Sequence, residues 1–292
     1  MKTLSEEINE IKNAKISKTA KRTALAKLGL IKSDVEIIMS NIPAPEARGS
    51  RFAYTFGVEI ECYNVDRDLM HQSADANALR IAYEGYNHRD NTEYYKFVRD
   101  GSIVGDNGIE CVSHVLDSRT GFASLEACCK ALNETGAKVN RTTGLHVHIA
   151  TRNMTGEWYR NVFQNYKMLE GVIDTFMAPS RRADNNYYCD TLQDHDFWGC
   201  TTINDVQRQL NGSRYHKVNA EAYKVHKTIE FRQHQGTTDF EKISHWVRFC
   251  AKLVGWPKRF AIDSTVASID EIPFLTKTEK NWFKRRAAVL SL

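Results

Sequence analysis

Two histidines alternate with aliphatic residues in the segment TGLHVHIA, residues 143–150. In a β-strand, side chains alternate between the two faces of a sheet, so His146 and His148 share one face and the aliphatic residues share the other. Paired imidazoles suit metal binding, acid–base catalysis or phosphate contact, but two polar residues on a solvated sheet have the same spacing. The segment therefore predicts a strand with one core face and one face that could carry chemistry.

Three other segments show the same polarity, with an apolar side opposite a side that bears ionisable residues. These residues are Glu59 and Glu61 in FGVEIEC, Glu110 and His114 in GIECVSH, and Glu230, Arg232 and His234 in TIEFRQH. If the four strands are neighbours, one sheet face gathers Glu59, Glu61, Glu110, His146, His148, Glu230 and Arg232. The alternative for each strand alone is a solvated face whose charges pair across neighbouring strands.

Clustered carboxylates on a sheet face require a partner, because they repel one another and are costly to bury unpaired. Divalent cations are the usual partner, and several carboxylates with one imidazole suit Mg²⁺ or Mn²⁺ better than structural Zn²⁺. Mg²⁺ on such a surface usually also binds substrate phosphates, and Arg232 suits a phosphate or carboxylate as a two-pronged donor. The pattern therefore predicts a metal-dependent site that handles phosphate.

The N-terminal part of the chain, residues 1–45, forms a separate compositional zone. Apolar residues recur at helical spacing after Leu4, with Ser5 as a candidate cap, and KTAKRTALAKLGLI and SDVEIIMSNI suggest two further helices. The basic helices are either a solvated extension or a docking arm for an acidic partner or nucleic acid. The segment 41–50 contains two prolines and a glycine and predicts a linker to a second domain over residues 46–292.

The rest of the chain alternates predicted strands with long helices. EYYKFVRD is a further strand pattern, and helical patterns cover residues 68–84, SLEACCKALNETG, GEWYRNVFQNYKMLEGVIDTFM and DFEKISHWVRFCAKLV. Asp239 is a plausible N-cap, and Thr276 and Glu279 have the spacing of a capping box. Residues 178–204 are irregular and polar, which in a compact domain often indicates a functional loop. These patterns predict an α+β domain on an antiparallel or mixed sheet.

Composition limits the class of protein. The net charge of +4 permits contact with nucleic acid without requiring it, and 42% hydrophobic with 26% charged residues is ordinary for a globular protein. The sequence has no apolar run long enough for a transmembrane helix and no apolar signal segment after Met1. Seven cysteines without a CxxC pair favour reduced thiols. We therefore expect a cytoplasmic protein that does not associate with membranes.

The ordered set FGVEIE, DGSI, GIECVSHVL, TGLHVHIA, RYHKVN and KTIEFRQHQGTTD resembles the amidoligase family. That family belongs to the carboxylate–amine ligase superfamily, with glutamine synthetase and glutamate–cysteine ligase, and the resemblance runs from about residue 52 to 255. It implies a glutamine-synthetase-like domain, in which a curved antiparallel or mixed sheet carries the active site and helices pack on its other face. The N-terminal 45 residues lie outside the resemblance.

The resemblance implies a set of metal ligands. Glu59 and Glu61 match the two alternating glutamates of the first strand, which bind different metal ions. Glu110 matches a later strand glutamate that binds the metal nearer the substrate. His146 matches the histidine on the metal next to the nucleotide phosphates, and Glu230 matches the glutamate that shares that metal. The second late glutamate of the substrate-side site of glutamine synthetase has no counterpart that we can place, so the number of metal ions stays open.

Other residues are implied to be in the pocket. Arg232 matches the arginine that contacts the transferring phosphoryl group, and His148 is implied to lie beside the substrate. The implied catalytic residues are therefore Arg232, His148 and Glu61. Asp100, Arg214 and Asn219 match polar positions of the family's pocket, and Arg181 and Arg182 match its arginine-bearing loop. Contact with the nucleotide or its phosphates is implied for Arg181, Arg214 and Asn219.

The resemblance implies an ATP-dependent carboxylate–amine ligase that uses Mg²⁺ or Mn²⁺. ATP phosphorylates a carboxylate to an acyl phosphate, and an amine then displaces the phosphate to give an amide. The implied partners are an amino acid, peptide or protein carboxylate and an amine donor. Two alternatives are a metal-dependent phosphotransferase or hydrolase on the same scaffold, and a non-catalytic binding protein that uses the basic N-terminal helices.

Overall fold

Seven strands form a single mixed sheet in the computed structural model of the chain. The strands are β1 Phe56–Cys62, β2 Ile81–Glu84, β3 Tyr95–Arg99, β4 Ile109–Val112, β5 Gly144–Ala150, β6 Val218–Asn219 and β7 Thr228–Gln235. Their order is β2-β3-β4-β1-β5-β7-β6, with β2 parallel to β3 and the other neighbouring pairs antiparallel. A mixed sheet with separate helices is compatible with the α+β class that the sequence predicts.

The structure describes residues 4–14, 18–28, 54–85, 87, 89, 91–151, 153–258 and 261–291. Within these ranges the α-helices are α1 Leu4–Asn13, α2 Lys18–Lys27, α3 Arg67–Ala76, α4 Ser118–Glu134, α5 Gly156–Thr175, α6 Ile203–Gln209, α7 Ala222–His226, α8 Phe240–Gly255 and α9 Lys277–Leu290. Short 3₁₀ helices occupy Pro179–Arg181, Tyr187–Cys189, Trp256–Lys258 and Ile269–Glu271. None of the described helices is both long and apolar enough to cross a lipid bilayer.

Two compact units make up the chain, Met1–Ser50 and Arg51–Leu292. In the first unit, α1 and α2 occur where two helices are predicted, and Leu25 of α2 is fully buried. The predicted cap Ser5 is wrong, because α1 already includes Leu4 and Ser5 therefore lies inside the helix. The predicted third helix, SDVEIIMSNI, lies outside the described residues, and the predicted domain boundary near residue 45 stays a prediction.

One face of the sheet is the hydrophobic core. The aliphatic residues of TGLHVHIA are fully buried, as are their neighbours on β1 and β7. Three helices supply aromatic rings to this face: Phe122 of α4 lies 4.9 Å from Phe56, while Tyr166 of α5 and Trp246 of α8 lie 6.0 and 6.5 Å from Phe231, measured between ring centroids. Because burying one such side chain contributes about 1.5–3 kcal/mol, this packing fixes which sheet face points outward.

A β-bulge in β7 overturns one expected side-chain orientation. The register between β5 and β7 shifts after Val147↔Phe231, so that His234 lies opposite Leu145 on the core face. His234 packs 5.7 Å from Trp246 between ring centroids, and burial lowers the pKa of its imidazole to about 3. The predicted grouping of His234 with the polar face is therefore wrong, because an extra residue in one strand inverts the alternation beyond it.

Local interactions explain where other elements begin and end. The helix predicted over 68–84 ends at Ala76, and Ala78 adopts a φ of +53°, after which β2 pairs with β3. The two predicted caps are confirmed, because Asp239 accepts hydrogen bonds at the start of α8 and Thr276 forms a capping box before α9. The sequence did not predict β6, α6 or α7, which are at most seven residues long.

Gly236 follows the end of β7 in close packing, and Gly171 of α5 provides an unpacked control. The N–H of Gly236 donates to the carbonyl oxygen of Thr143 at 2.9 Å, and a Cβ on Gly236 would lie 2.2 Å from Thr143 Oγ1. A Cβ on Gly171, on the exposed side of α5, would meet no atom within 4 Å. We expect Gly236→Ala to lower the free energy of unfolding by about 1–3 kcal/mol and Gly171→Ala to raise it by about 0.5–1 kcal/mol.

Urea denaturation followed by circular dichroism measures both changes. If Gly236→Ala were as stable as the wild-type protein, the close approach of β7 to Thr143 would be contradicted.

Candidate active site

The sheet register brings the predicted site residues onto one surface. Glu61 pairs with Glu110 across β1 and β4, and Glu59 pairs with His146 across β1 and β5. His148 pairs with Glu230 across β5 and β7, and Asn219 of β6 also pairs with Glu230. Directly opposed residues in antiparallel strands have adjacent side chains. The polar faces that the sequence assigns to four strands therefore form one continuous surface, opposite the core.

His146 lies at the centre of this surface. Its Nδ1 is 2.8 Å from Oε2 of Glu59 and 3.6 Å from Oε1 of Glu230, and its Nε2 is 3.5 Å from Oε1 of Glu61. The side chain of Glu59 keeps 23% exposure, whereas those of His146 and Glu230 are 6% exposed. Burial opposes ionisation of Glu59, but the hydrogen bond with His146 and the nearby imidazole of His148 outweigh it and hold the pKa of Glu59 well below its usual value.

His148 presents a buried ring nitrogen, Nε2, to the same carboxylates. Its Nδ1 is 2.9 Å from Thr228 Oγ1, which holds the ring in place. Its Nε2 lies 3.3 Å from Oε1 of Glu59 and 4.0 Å from Oε1 of Glu230, yet it makes no hydrogen bond of acceptable geometry. Burial alone would lower the pKa of His148, but the two carboxylates outweigh it and raise that pKa above its usual value.

The pKa of Glu110 is shifted in the opposite direction to that of Glu59. Burial, followed by the charges of Glu59, Glu61 and Asp100, raises the pKa of Glu110 well above its usual value. Asp100 follows β3 and accepts hydrogen bonds from the backbone N–H and the hydroxyl of Ser102, both at 2.7 Å. In the absence of a cation, a proton on Glu110 therefore relieves part of the repulsion within the carboxylate cluster.

Three overlapping groups of side chains could each hold a metal ion. Within each group the ligand atoms lie within 4.8 Å of one another: Glu59, His148 and Glu230; Glu59, Glu110 and His146; and Glu61, Asp100 and Glu110. Carboxylate oxygens with at most one imidazole suit hard divalent cations such as Mg²⁺ and Mn²⁺. The buried Nε2 of His148 also has no hydrogen-bond partner, as expected of an atom that could bind a cation. The donor set therefore fits the cation that the sequence predicts, with Asp100 as a further candidate ligand.

Arg232 balances the buried charge of Glu230. Its Nη1 donates to Oε1 of Glu230 at 2.6 Å, and the amide of Asn219 donates to Oε2 of the same carboxylate at 2.5 Å. Burial raises the pKa of Glu230, but the guanidinium of Arg232 outweighs it, so that this pKa lies below its usual value. The Nε of Arg232 donates to the carbonyl of Tyr188 at 3.3 Å, which joins the polar face to the segment after α5.

Gly144 and Arg181 close one end of the polar face. The N–H of Gly144 donates to Oε2 of Glu61 at 2.6 Å, and Nη2 of Arg181 donates to the carbonyl of Thr143 at 2.7 Å. A Cβ on Gly144 would lie 3.1 Å from Nε2 of His146 and 3.4 Å from both terminal nitrogens of Arg181. Glycine at this position therefore lets a buried guanidinium approach the carboxylate cluster.

Three other residues lie away from the carboxylate cluster. Arg182 donates to the carbonyls of Met177 and Leu290, so its guanidinium joins the loop to the end of α9 instead of facing the polar surface. His114 lies beyond the end of β4 and packs against Tyr95, so the predicted sharing of a face with Glu110 is wrong. Arg214 is exposed, with its guanidinium 5.2 Å from the ring centroid of Tyr215.

A buried polar network beneath the site was not predicted. Lys217 is fully buried, and its Nζ donates to Oε1 of Glu170 at 2.7 Å and to Oδ1 of Asp174 at 2.9 Å. Glu170 also accepts from the backbone N–H of Leu192 at 3.0 Å. A sequence signal existed, since Glu170 and Asp174 are acids spaced four residues apart on the helix GEWYRNVFQNYKMLEGVIDTFM, where one helix face is continuous.

The raised pKa of Glu110 predicts how pH changes stability without metal. A group whose pKa is raised by folding stabilises the fold below its ordinary pKa, and this contribution is lost as the pH rises through the raised value. Glu110→Gln keeps the shape and cannot ionise. We therefore expect Glu110→Gln to match the wild-type protein near pH 4 and to exceed its free energy of unfolding by about 1–3 kcal/mol at pH 8.

Urea denaturation with EDTA at both pH values measures this difference. If the difference in free energy of unfolding between the wild-type protein and Glu110→Gln stays constant with pH, Glu110 does not carry the extra proton.

A family model described as "putative amidoligase enzyme" matches residues 53–254, most of the second unit and all seven strands. No curated protein matches the chain. The match covers more than half of the chain and includes the residues that form the polar face. The chain therefore belongs to the amidoligase family.

Proposed function

We propose that this protein is an ATP-dependent carboxylate–amine ligase with a glutamine-synthetase-like active site. The observation that carries the proposal is the convergence of Glu59, Glu61, Glu110 and Glu230 from three strands, with ligand atoms within 4.8 Å of one another in each group. The amidoligase family supplies the reaction class, and an acidic surface with Arg232 at its edge supports the use of a phosphate donor.

The proposed reaction first makes the carboxylate of the acid substrate electrophilic. ATP transfers its terminal phosphoryl group to that carboxylate to form an acyl phosphate and ADP. When bound, Mg²⁺ or Mn²⁺ would neutralise phosphate charge and favour in-line transfer. Glu59, His146 and Glu230 would hold one such ion, with Glu61 and Glu110 beside a second. Arg232 would stabilise negative charge on the moving phosphoryl group.

The second half of the reaction forms the amide. The amine must lose a proton before or while it displaces phosphate from the acyl phosphate. Two groups of this chain are candidates for accepting that proton. They are Nε2 of His148, which has no hydrogen-bond partner, and the carboxylate of Glu61, which also accepts from Gly144. The acid would be an amino acid, a peptide or a protein carboxylate, and Asn219 would contact the nucleotide or its phosphates.

We propose a cytoplasmic location, which the state of the cysteines supports. All seven are buried and free, as reduced thiols are in a reducing compartment.

Glu230 gives a direct test of the proposed site. We expect Glu230→Gln to reduce ADP release by about 100-fold or more, because a metal ligand and the charge partner of Arg232 are lost together. Purified protein would be assayed with ATP, Mg²⁺, and pooled acids and amines. Glu126→Gln, at an exposed position of α4, is the matched control and should keep wild-type turnover. Equal turnover by the wild-type protein and Glu230→Gln would place the site elsewhere.

The products distinguish the proposal from other metal-dependent reactions. A ligase gives an amide with ADP and phosphate in equal amounts, whereas a phosphotransferase gives a phosphorylated acceptor without free phosphate. Mass spectrometry of the reaction separates these outcomes. A phosphorylated acceptor that accumulates in the presence of amine would contradict the ligase.

A further inference from the structure

The polar face has two distinct ends along its strands. β1 and β7 run in the same direction with β5 antiparallel between them. Toward one end lie Gly57, His148 and Thr228, and toward the other lie Glu61, Gly144 and Arg232. The carboxylate cluster extends from Glu230, opposite His148, to Glu61. In-line phosphoryl transfer requires the donor and the acceptor to approach from opposite sides. Each end of the polar face would therefore serve one substrate.

Three tyrosines form an exposed cluster that adjoins the Arg232 end. Tyr187, Tyr188 and Tyr215 have ring centroids 5.3–5.5 Å apart, and we refer to them as the tyrosine platform. Tyr187 is 68% exposed and Tyr188 is 48% exposed. The carbonyl of Tyr188 accepts the hydrogen bond from Arg232, so the platform begins directly beside the candidate site. Exposed aromatic groups that cluster at a site commonly mark a binding surface.

Backbone contacts hold the tyrosine platform in place. Asn186 accepts a hydrogen bond from the N–H of Tyr188 at 2.9 Å, and the N–H of Asp190 donates to the carbonyl of Tyr215 at 2.7 Å. The N–H of Lys217 donates to the carbonyl of Asp190 at 2.9 Å. Binding to such a surface loses little conformational entropy, because the aromatic groups are already ordered by the backbone beneath them.

The buried network extends this support. Nζ of Lys217 contacts both Glu170 and Asp174 of α5, and Glu170 accepts from the backbone N–H of Leu192, two residues beyond Asp190. The N–H of Arg232 donates to the carbonyl of Lys217 at 2.9 Å. Lys217 therefore supports both the edge of the tyrosine platform and the strand that carries Arg232.

The charges next to the platform favour an acidic ligand. The guanidinium of Arg214 lies 5.2 Å from the ring centroid of Tyr215, and Arg181 and Arg232 lie at the same end of the polar face. Guanidinium groups bind carboxylates through paired hydrogen bonds. A small amino acid needs an enclosed pocket, whereas an open row of tyrosines suits a polypeptide that lies across it.

We infer that the tyrosine platform binds the acid substrate, and that this substrate is an acidic peptide segment rather than a free amino acid. The inference rests on the proposed ligase function and deepens it. The reacting carboxylate would lie at the Arg232 end of the polar face, and the rest of the peptide would extend over Tyr187 and Tyr188. The amine would then attack from the side of the carboxylate cluster.

Binding can be measured separately from turnover. The probe is a library of fluorescein-labelled acidic pentapeptides, tested by fluorescence anisotropy against the full chain with Mg²⁺ and ADP. We expect wild-type protein to bind members of the library, and Tyr187→Ala with Tyr188→Ala to weaken binding by about tenfold or more. Tyr187→Phe with Tyr188→Phe keeps the aromatic faces and should restore most of the affinity. Trp198→Ala, at an exposed aromatic outside the platform, is the matched control.

ADP release with peptides and with free amino acids completes the test. The inference is supported if peptides drive release and the alanine variant raises KM for peptide with kcat nearly unchanged. It is overturned if no peptide binds, if the alanine variant binds as tightly as the wild type, or if free amino acids drive equal release in both proteins. That last result would leave the ligase function intact.

Two further outcomes distinguish binding of the acid substrate from binding of nucleic acid and from binding of a peptide without catalysis. Tyrosine-dependent binding of a labelled single-stranded 12-mer oligonucleotide in preference to the peptides would overturn the peptide assignment, since bases also stack on aromatic rings. Tyrosine-dependent peptide binding without ADP release from any acid, in wild type as in Glu230→Gln, would support the platform as a peptide site and contradict the ligase function.

Discussion

Repulsion among carboxylates on one sheet face is the constraint on which the rest of the structure depends. Glu59 and Glu230 stay ionised because histidines and Arg232 surround them, while the raised pKa of Glu110 indicates that a proton relieves the remaining charge. A divalent cation would relieve the same repulsion and release that proton. The stability of this surface and its suitability for the proposed metal ion are therefore two results of one electrostatic arrangement.

The opposite face of the sheet determines where those charges can lie. Val58, Val147 and Phe231 are fully or almost fully buried under α4, α5 and α8, and a slip of one residue in any strand would turn carboxylates into that core. Because burying an unpaired carboxylate is far more costly than losing a few aliphatic contacts, the core fixes the register. The positions of the site residues therefore depend on packing that is remote from any chemistry.

Beneath the edge of the sheet, a second set of charges has a structural use. Lys217 is enclosed with Glu170 and Asp174, and removing Lys217 would leave Glu170 buried without its charge partner. The network connects α5 to β6 and to the segment that contains the tyrosine platform. Charged residues thus act in two ways in this protein, as candidate ligands on the open face and as internal supports where solvent is excluded.

Sequence periodicity was sufficient to predict the strands FGVEIEC, GLHVHIA and TIEFRQH and the polar side of each, because alternation reflects a face that is half buried. It also indicated the α+β class, whereas the amidoligase family followed from the resemblance of an ordered set of motifs and was confirmed by the family model. It could not predict the orientation of His234, because the bulge in β7 depends on pairing with β5.

The approach of Asp100 to Glu61 and Glu110 also escaped prediction, as did the burial of Lys217. These contacts join residues that are distant in the chain, and their energies depend on solvent exclusion, which exists only after the sheet and helices have packed. The sequence was enough to indicate which residues could do chemistry and, apart from His114 and His234, on which side of its strand each one lies. The tertiary structure alone decided which charges meet, since only folding sets their distances and their exposure to water.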